Sequence, residues 1–134
     1  MLAVTTWILA AGAALTDTPA TGCRAALVDL DLHRNQITSV PASIGDLTNL
    51  MSLFLSYNSI TTLPAEISQL TSLKRLRLSF NDLTGVPVAF RTFSPTTECG
   101  LKNNPGFSCA NIAILSSCCT TDNCGGDTST CYTA

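Results

Sequence analysis

Apolar side chains return along this chain at a fixed step of 23 residues, and the polar residues between them return at the same step. Leu-x-Leu alternation predicts a short strand with one buried face. The pattern occurs three times, at Leu27, Leu30, Leu32, Asn35 and Ile37, then Leu50, Leu53, Leu55, Asn58 and Ile60, then Leu73, Leu76, Leu78, Asn81 and Leu83. A unit repeated at this length predicts supersecondary units that stack and share a continuous core.

The second half of each unit has a repeated signal of its own. It begins at Val40-Pro41, Leu63-Pro64 and Val86-Pro87, and apolar residues follow at steps of three. Proline cannot donate to a strand ladder, so it marks a turn. The spacing after it predicts a short helical or 3₁₀ segment that packs back onto the strand.

An asparagine closes each predicted strand. The side-chain amide can both donate and accept, so it can satisfy backbone groups of a tight turn that no strand partner reaches. The sequence therefore predicts a structural ladder formed by Asn35, Asn58, Asn81 and Asn104.

These motifs resemble the leucine-rich repeat family, and in particular its 23-residue units with L-P-x-x-I-x-x-L, from residue 27 to about residue 104. The resemblance implies an α/β solenoid: a short right-handed superhelix with a parallel concave sheet and a disulfide-rich C-terminal cap. The alternative is a set of amphipathic strands and helices in an ordinary α+β domain. Such a domain does not require its turn residues to recur at a fixed step.

Five segments follow from this interpretation. Residues 1–20 are predicted to be a signal peptide or a worn repeat, 21–26 an N-terminal flank, 27–95 three repeats, 96–117 a degenerate fourth repeat with the C-terminal cap, and 118–134 a Cys-rich tail. Residues 2–15 are almost wholly apolar, with the length of a signal-peptide core but without the usual positive charge before it. A worn repeat remains the alternative for residues 1–20. The apolar residues that lie one 23-residue step before Leu27, Leu30 and Leu32 are Val4, Trp7 and Leu9.

Cysteine placement favours an oxidising compartment. All seven cysteines lie outside the three repeats, as expected for disulfides that close the ends of a solenoid. Spacing favours a bridge between Cys99 and Cys109, but the connectivity stays open, and the odd count allows a covalent dimer. The alternative to disulfides is that the cysteines of the tail bind zinc, although the spacing of these cysteines matches no standard C-x-x-C pair. The disulfide candidates are Cys23, Cys99, Cys109, Cys118, Cys119, Cys124 and Cys131.

The segment 101–109 is similar to the C-terminal caps of extracellular leucine-rich repeat proteins, in which Asn-Pro, an aromatic residue and a cysteine follow the last strand. Gly106 stands between Pro105 and Phe107 and departs from that pattern. Phe107 with the apolar residues after it would cover the exposed edge of the core.

Composition and motifs exclude several functions. Charged residues make up 12% of the chain and the net charge is −2, which argues against nucleic-acid binding. No apolar run is long enough for a membrane span. His33 is the only histidine, and the chain has no nucleophile motif and no glycine-rich phosphate loop. We therefore expect no enzyme, no cofactor and no metal.

Strand alternation assigns the remaining side chains to the concave face. The predicted ligand-binding residues are Asp29, Asp31, Phe54, Tyr57, Arg75, Arg77 and Phe80. Aromatic residues and arginine often anchor interfaces, and separated charges would orient a partner. The alternative is a solvated sheet whose opposite charges pair across adjacent strands, with the aromatic residues covering the strand ends.

The predicted function is recognition by a secreted, non-enzymatic module that binds a protein, peptide or glycan. The resemblance implies roles in adhesion, receptor signalling or defence. Two alternatives remain: a cytoplasmic scaffold or regulator of the Ras-suppressor-like type, which the cysteine tail disfavours, and a fragment of a larger leucine-rich repeat receptor ectodomain.

Overall fold

The computed structural model of the chain describes residues 27–91 and 98–105. Its strands form one parallel sheet in the order β1-β2-β3-β4. The strands are β1 at Asp29–Asp31, β2 at Ser52–Phe54, β3 at Arg75–Arg77 and β4 at Glu98–Gly100. Short 3₁₀ helices lie between consecutive strands, at Ala42–Asp46, Ala65–Gln69 and Val88–Arg91. Each strand and the 3₁₀ helix after it form one coil of a solenoid.

The central leucine of each strand lies directly beside that of the next strand. Leu30 pairs with Leu53, Leu53 with Leu76, and Leu76 with Cys99. All four side chains are buried in one hydrophobic core. The predicted stacking of the repeats on a shared interior is therefore confirmed, and Cys99 occupies the position of the expected leucine in the fourth unit.

The 3₁₀ helices close the core from the opposite side. Ile44, Ile67 and Phe90 are fully buried at equivalent positions of the three helices. In all three, a proline carbonyl accepts a hydrogen bond from the N–H of this buried residue. The distances are 3.1 Å from Ile44 to Pro41, 3.3 Å from Ile67 to Pro64 and 2.9 Å from Phe90 to Pro87. Burying each side chain of this size contributes about 1.5–3 kcal/mol, so the stacked apolar columns are the main source of stability.

The strand-end asparagines connect each coil to the one before it. Asn81 donates to the carbonyl oxygens of Leu55 and Leu78, both at 3.0 Å, and accepts from the N–H of Ile60 at 3.0 Å. Asn58 and Asn104 form the equivalent three bonds, two of them to the preceding coil and one within their own. Asn35 bonds to Leu32 and His33 within its own coil. These amides satisfy buried backbone groups that the parallel ladder leaves open.

The residue before each of these asparagines has a left-handed backbone. The φ angles are 55° at Arg34, 59° at Tyr57, 58° at Phe80 and 57° at Asn103. Asparagine tolerates this conformation, whereas a bulky side chain is strained in it by about 1–3 kcal/mol. The turns after β1, β2 and β3 therefore place large side chains in an unfavourable backbone conformation.

Several predictions concern residues outside the described ranges. These are the signal peptide or worn repeat, the N-terminal flank, most of the C-terminal cap, the Cys-rich tail and every cysteine except Cys99. Cys99 is the one cysteine within the described ranges. The predicted pairing with Cys109 stays a prediction.

Candidate binding face on the parallel sheet

The strands present two rows of side chains on the face opposite the leucine core. We call this surface the sheet face. One row contains Asp29, Ser52 and Arg75, and the next contains Asp31, Phe54 and Arg77. Each row therefore begins with an aspartate on β1 and has an arginine on β3. The residue between them on β2 is a serine in one row and a phenylalanine in the other.

In the first row the two charged side chains meet above the serine. Arg75 Nη2 lies 3.5 Å from Asp29 Oδ1, and the two side chains are 48% and 61% exposed. Neighbouring strands are about 4.8 Å apart, so this ion pair spans the whole width of β2. Ser52, which lies between them in register, is fully buried. The alternative of cross-strand charge pairing is thus partly realised, but across an intervening strand.

In the second row the phenylalanine ring stands between the charges. The guanidinium carbon of Arg77 lies 5.0 Å from the centroid of the Phe54 ring, within range of a cation–π contact. The guanidinium of Arg75 also reaches this ring, at 5.8 Å. Asp31 Oδ1 accepts a hydrogen bond from the backbone N–H of His33 at 3.0 Å. We call Asp29, Phe54, Arg75 and Arg77 the charged cluster.

A row of aromatic rings lies where the strands end. Tyr57 and Phe80 stack with centroids 4.2 Å apart and planes 11° from parallel, and His33 meets Tyr57 edge-on at 5.1 Å. The guanidinium carbon of Arg34 lies 5.2 Å from the Tyr57 centroid. Tyr57 and Phe80 remain 41% and 40% exposed. We call His33, Tyr57 and Phe80 the aromatic row.

The structure brings the predicted site residues together in two groups. Asp29, Phe54, Arg75 and Arg77 share one set of contacts, and Tyr57 and Phe80 share another. Asp31 contacts the turn at His33. Three residues outside the predicted set belong to the same contacts, namely Ser52, His33 and Arg34. The repeat step carries a signal for two of them, because Ser52 shares its column with Asp29 and Arg75, and Arg34 shares its column with Tyr57 and Phe80. His33 aligns with serines in the next two repeats, so the repeat step gives no such signal for it.

The described residues contain neither a metal-binding cluster nor a candidate membrane span. No group of three or more His, Cys, Asp or Glu side chains comes together in ranges 27–91 and 98–105. No helix in these ranges is long and apolar enough to cross a membrane. The described side chains of the sheet face carry guanidinium, carboxylate, hydroxyl and aromatic groups.

Sequence and structure comparisons point to the same architecture. Residues 25–83 match the family model of the leucine rich repeat. Among solved structures, the chain is similar to a leucine-rich repeat protein of Leptospira interrogans, with 29% identity and a TM-score of 0.56 over 66% of this chain. This chain spans only 23% of the length of that protein. No curated protein matches the chain. The matches support a leucine-rich repeat protein, and the four-stranded parallel sheet fits a repeat solenoid.

Proposed function

We propose that this chain is a non-enzymatic recognition module that binds a protein or peptide through the sheet face. Leucine-rich repeats suggest a protein-interaction module, and their fold is generally a binding scaffold. The observation that carries the proposal is the charged cluster beside the aromatic row. Arginine and aromatic side chains dominate interface hot spots, and here both arginines and the rings at the strand ends are exposed, while Phe54 is half-buried.

Two features support binding rather than a passive solvated surface. First, Arg77 and Arg75 contact the same ring, which orients two long side chains before a ligand arrives and lowers the entropy lost on binding. Second, Tyr57 and Phe80 occupy left-handed positions where an asparagine would be less strained. Backbone strain that is retained at two exposed aromatic residues supports a role of their rings in binding.

The test is a double substitution on the sheet face. Arg77→Glu with Phe54→Ala reverses a charge and removes the ring while leaving the buried leucines in place. We expect an intact fold by circular dichroism and at least about a hundredfold loss of affinity for a bound peptide or protein, because hot-spot substitutions cost about 2 kcal/mol or more each. The ligand is obtained by panning a random peptide display library on the full-length chain.

A matched control changes the surface away from the sheet. Thr61→Glu with Val88→Ala also adds negative charge and removes an exposed apolar group, and both residues lie outside the strands. Affinity should change by less than about twofold, because surface changes away from a contact are usually within about 0.5 kcal/mol. Equal losses in the two double variants, or none in either, would contradict binding through the sheet face.

We also propose that the protein is secreted and that disulfides close the ends of its repeats. The support is the placement of all seven cysteines outside the three repeats, together with the apolar N-terminal segment. Mass measurement of material secreted from cells, with and without reduction, would report the mature start, the number of bridges and any covalent dimer. Six or seven reactive thiols in native protein would instead favour the cytoplasmic scaffold.

A further inference from the structure

The hydroxyl of Ser52 lacks a hydrogen-bond partner. Among the described residues, its Oγ is the buried side-chain polar atom for which no partner is present, and the residue is 0% exposed. A buried hydroxyl left unpaired has lost its hydrogen bonds to water without replacing them, so a folded protein usually avoids it. An unpaired group of this kind calls for a physical explanation.

The groups that cover Ser52 are a surface ion pair rather than the hydrophobic core. Asp29 and Arg75 flank it in register on the two adjacent strands, and their side chains meet at 3.5 Å. Water screens a pair this exposed, so the pair contributes little to stability. Ser52 is therefore covered by two charged groups that can separate at little cost.

Arg75 has a second contact that keeps it near the serine when the pair opens. Its guanidinium lies 5.8 Å from the Phe54 centroid, and Arg77 lies over the same ring at 5.0 Å. Two guanidinium groups around one ring attract an anion, and a planar guanidinium matches a carboxylate through two parallel hydrogen bonds. The hydroxyl of Ser52 and the fork of Arg75 together supply donors for one carboxylate, and Arg77 adds positive charge nearby.

We propose that the sheet face binds an acidic peptide segment of a partner protein, and that an Asp or Glu carboxylate of this segment replaces Asp29 at Arg75 and accepts a hydrogen bond from Ser52. The inference rests on the proposed function and names its ligand class. A carboxylate on a flexible methylene stem can reach a hydroxyl that lies below the surface. A carboxylate attached directly to a sugar ring has no such stem.

The first arm of the test identifies the ligand class. A random peptide display library is panned on the full-length chain, and bound peptides are counter-selected on Arg77→Glu with Phe54→Ala. We expect the retained peptides to carry Asp or Glu at a shared position. Retained peptides without acidic residues would overturn this inference and leave the proposed function standing. Peptides that bind both proteins equally would contradict the proposed function itself.

The second arm measures a selected acidic peptide, labelled with fluorescein, by anisotropy. Arg75→Gln should weaken binding by about tenfold to a hundredfold, the range for a hydrogen bond to a charged group. Lys74→Gln is the control, because it removes the same charge at the adjacent residue and should cost less than about threefold. Equal losses in the two variants would mean general charge attraction and would overturn the inference.

The third arm separates the serine and aspartate roles from simple structural effects. Ser52→Ala should weaken binding by about threefold to tenfold while leaving the melting temperature equal or higher, because a buried unpaired hydroxyl has been removed. Asp29→Asn should tighten binding by up to about fivefold, because the competing carboxylate is gone. Unchanged affinity in Ser52→Ala, or weaker binding in Asp29→Asn, would overturn the proposal that a ligand carboxylate replaces Asp29 at Arg75.

The last arm distinguishes acidic peptides from acidic glycans. A glucuronate-containing oligosaccharide is added as competitor to the labelled peptide, and a matched peptide with Gln or Asn in place of the acidic residues is tested beside it. We expect the amide peptide to bind at least about tenfold more weakly and the oligosaccharide not to compete. Competition by the oligosaccharide that depends on Arg75 and Ser52 would overturn the choice of a peptide ligand.

Discussion

The two rows of the sheet face have the same charged residues and opposite outcomes. Asp29 and Arg75 form an ion pair across β2, whereas Phe54 stands between Asp31 and Arg77. The difference is one side chain on β2, serine in the first row and phenylalanine in the second. A short side chain lets charges meet above it, and a ring separates them. On this sheet, the side chain on the middle strand therefore decides whether the charges on either side of it meet.

Both rows exist only while the leucines beneath them hold the strands in register. Leu53 is fully buried between Leu30 and Leu76. Leu53→Asp should unfold the protein, because an unpaired buried charge costs more than about 4 kcal/mol. Circular dichroism and thermal unfolding would measure this effect. Leu53→Met is the control and should cost less than about 1.5 kcal/mol. A cooperative transition retained in Leu53→Asp would contradict the stacked core.

The next largest effect concerns the turns that end the rows. Asn81→Ala should lower the free energy of unfolding by about 3 kcal/mol, because it leaves three backbone groups of two coils without the partner they have now. Asn35→Ala is the matched control, with bonds to Leu32 and His33 in its own, more exposed coil. Urea unfolding compares the two. An equal loss of unfolding free energy in the two variants would show that contact between coils does not depend on the side-chain amide of Asn81.

Much of the fold could be predicted from the sequence, and the features of the sheet face that could not be predicted have a physical cause. The 23-residue step predicts the alignment of Leu30, Leu53 and Leu76, because periodic burial is encoded in residue type. The burial of Ser52 could not be predicted, since it depends on two longer side chains closing over it from other strands. The left-handed backbone at Tyr57 and Phe80 escapes prediction for a related reason: neither residue type favours it, and the turn imposes it.

A smaller effect tests the comparison of the rows directly. Phe54→Ser makes the second row like the first, so Asp31 and Arg77 should approach each other. Stability should fall by about 1 kcal/mol as the cation–π contacts are lost. A double-mutant cycle with Asp31→Asn and Arg77→Gln should give coupling near zero in the native background and up to about 1 kcal/mol with Phe54→Ser. Equal coupling in both backgrounds would contradict the role of the ring.

The smallest expected effect is in the first row. A double-mutant cycle between Asp29→Asn and Arg75→Gln should give a coupling of about 0.5 kcal/mol, because both side chains are about half exposed. The coupling should decrease further at high salt, where exposed charges are screened. Chemical unfolding of the four proteins measures it. A coupling above about 2 kcal/mol would mean that Asp29 is not readily exchanged for a ligand carboxylate.

The most direct test of the central claim is amide hydrogen exchange of the full-length chain with and without a peptide selected on it. We expect the peptide to slow exchange in segments that contain β1, β2 and β3 and in the turns that carry Tyr57 and Phe80, with little change in the 3₁₀ helices at Ala42–Asp46 and Ala65–Gln69. Protection confined to the 3₁₀ helices, with the strands unchanged, would contradict recognition through the sheet face.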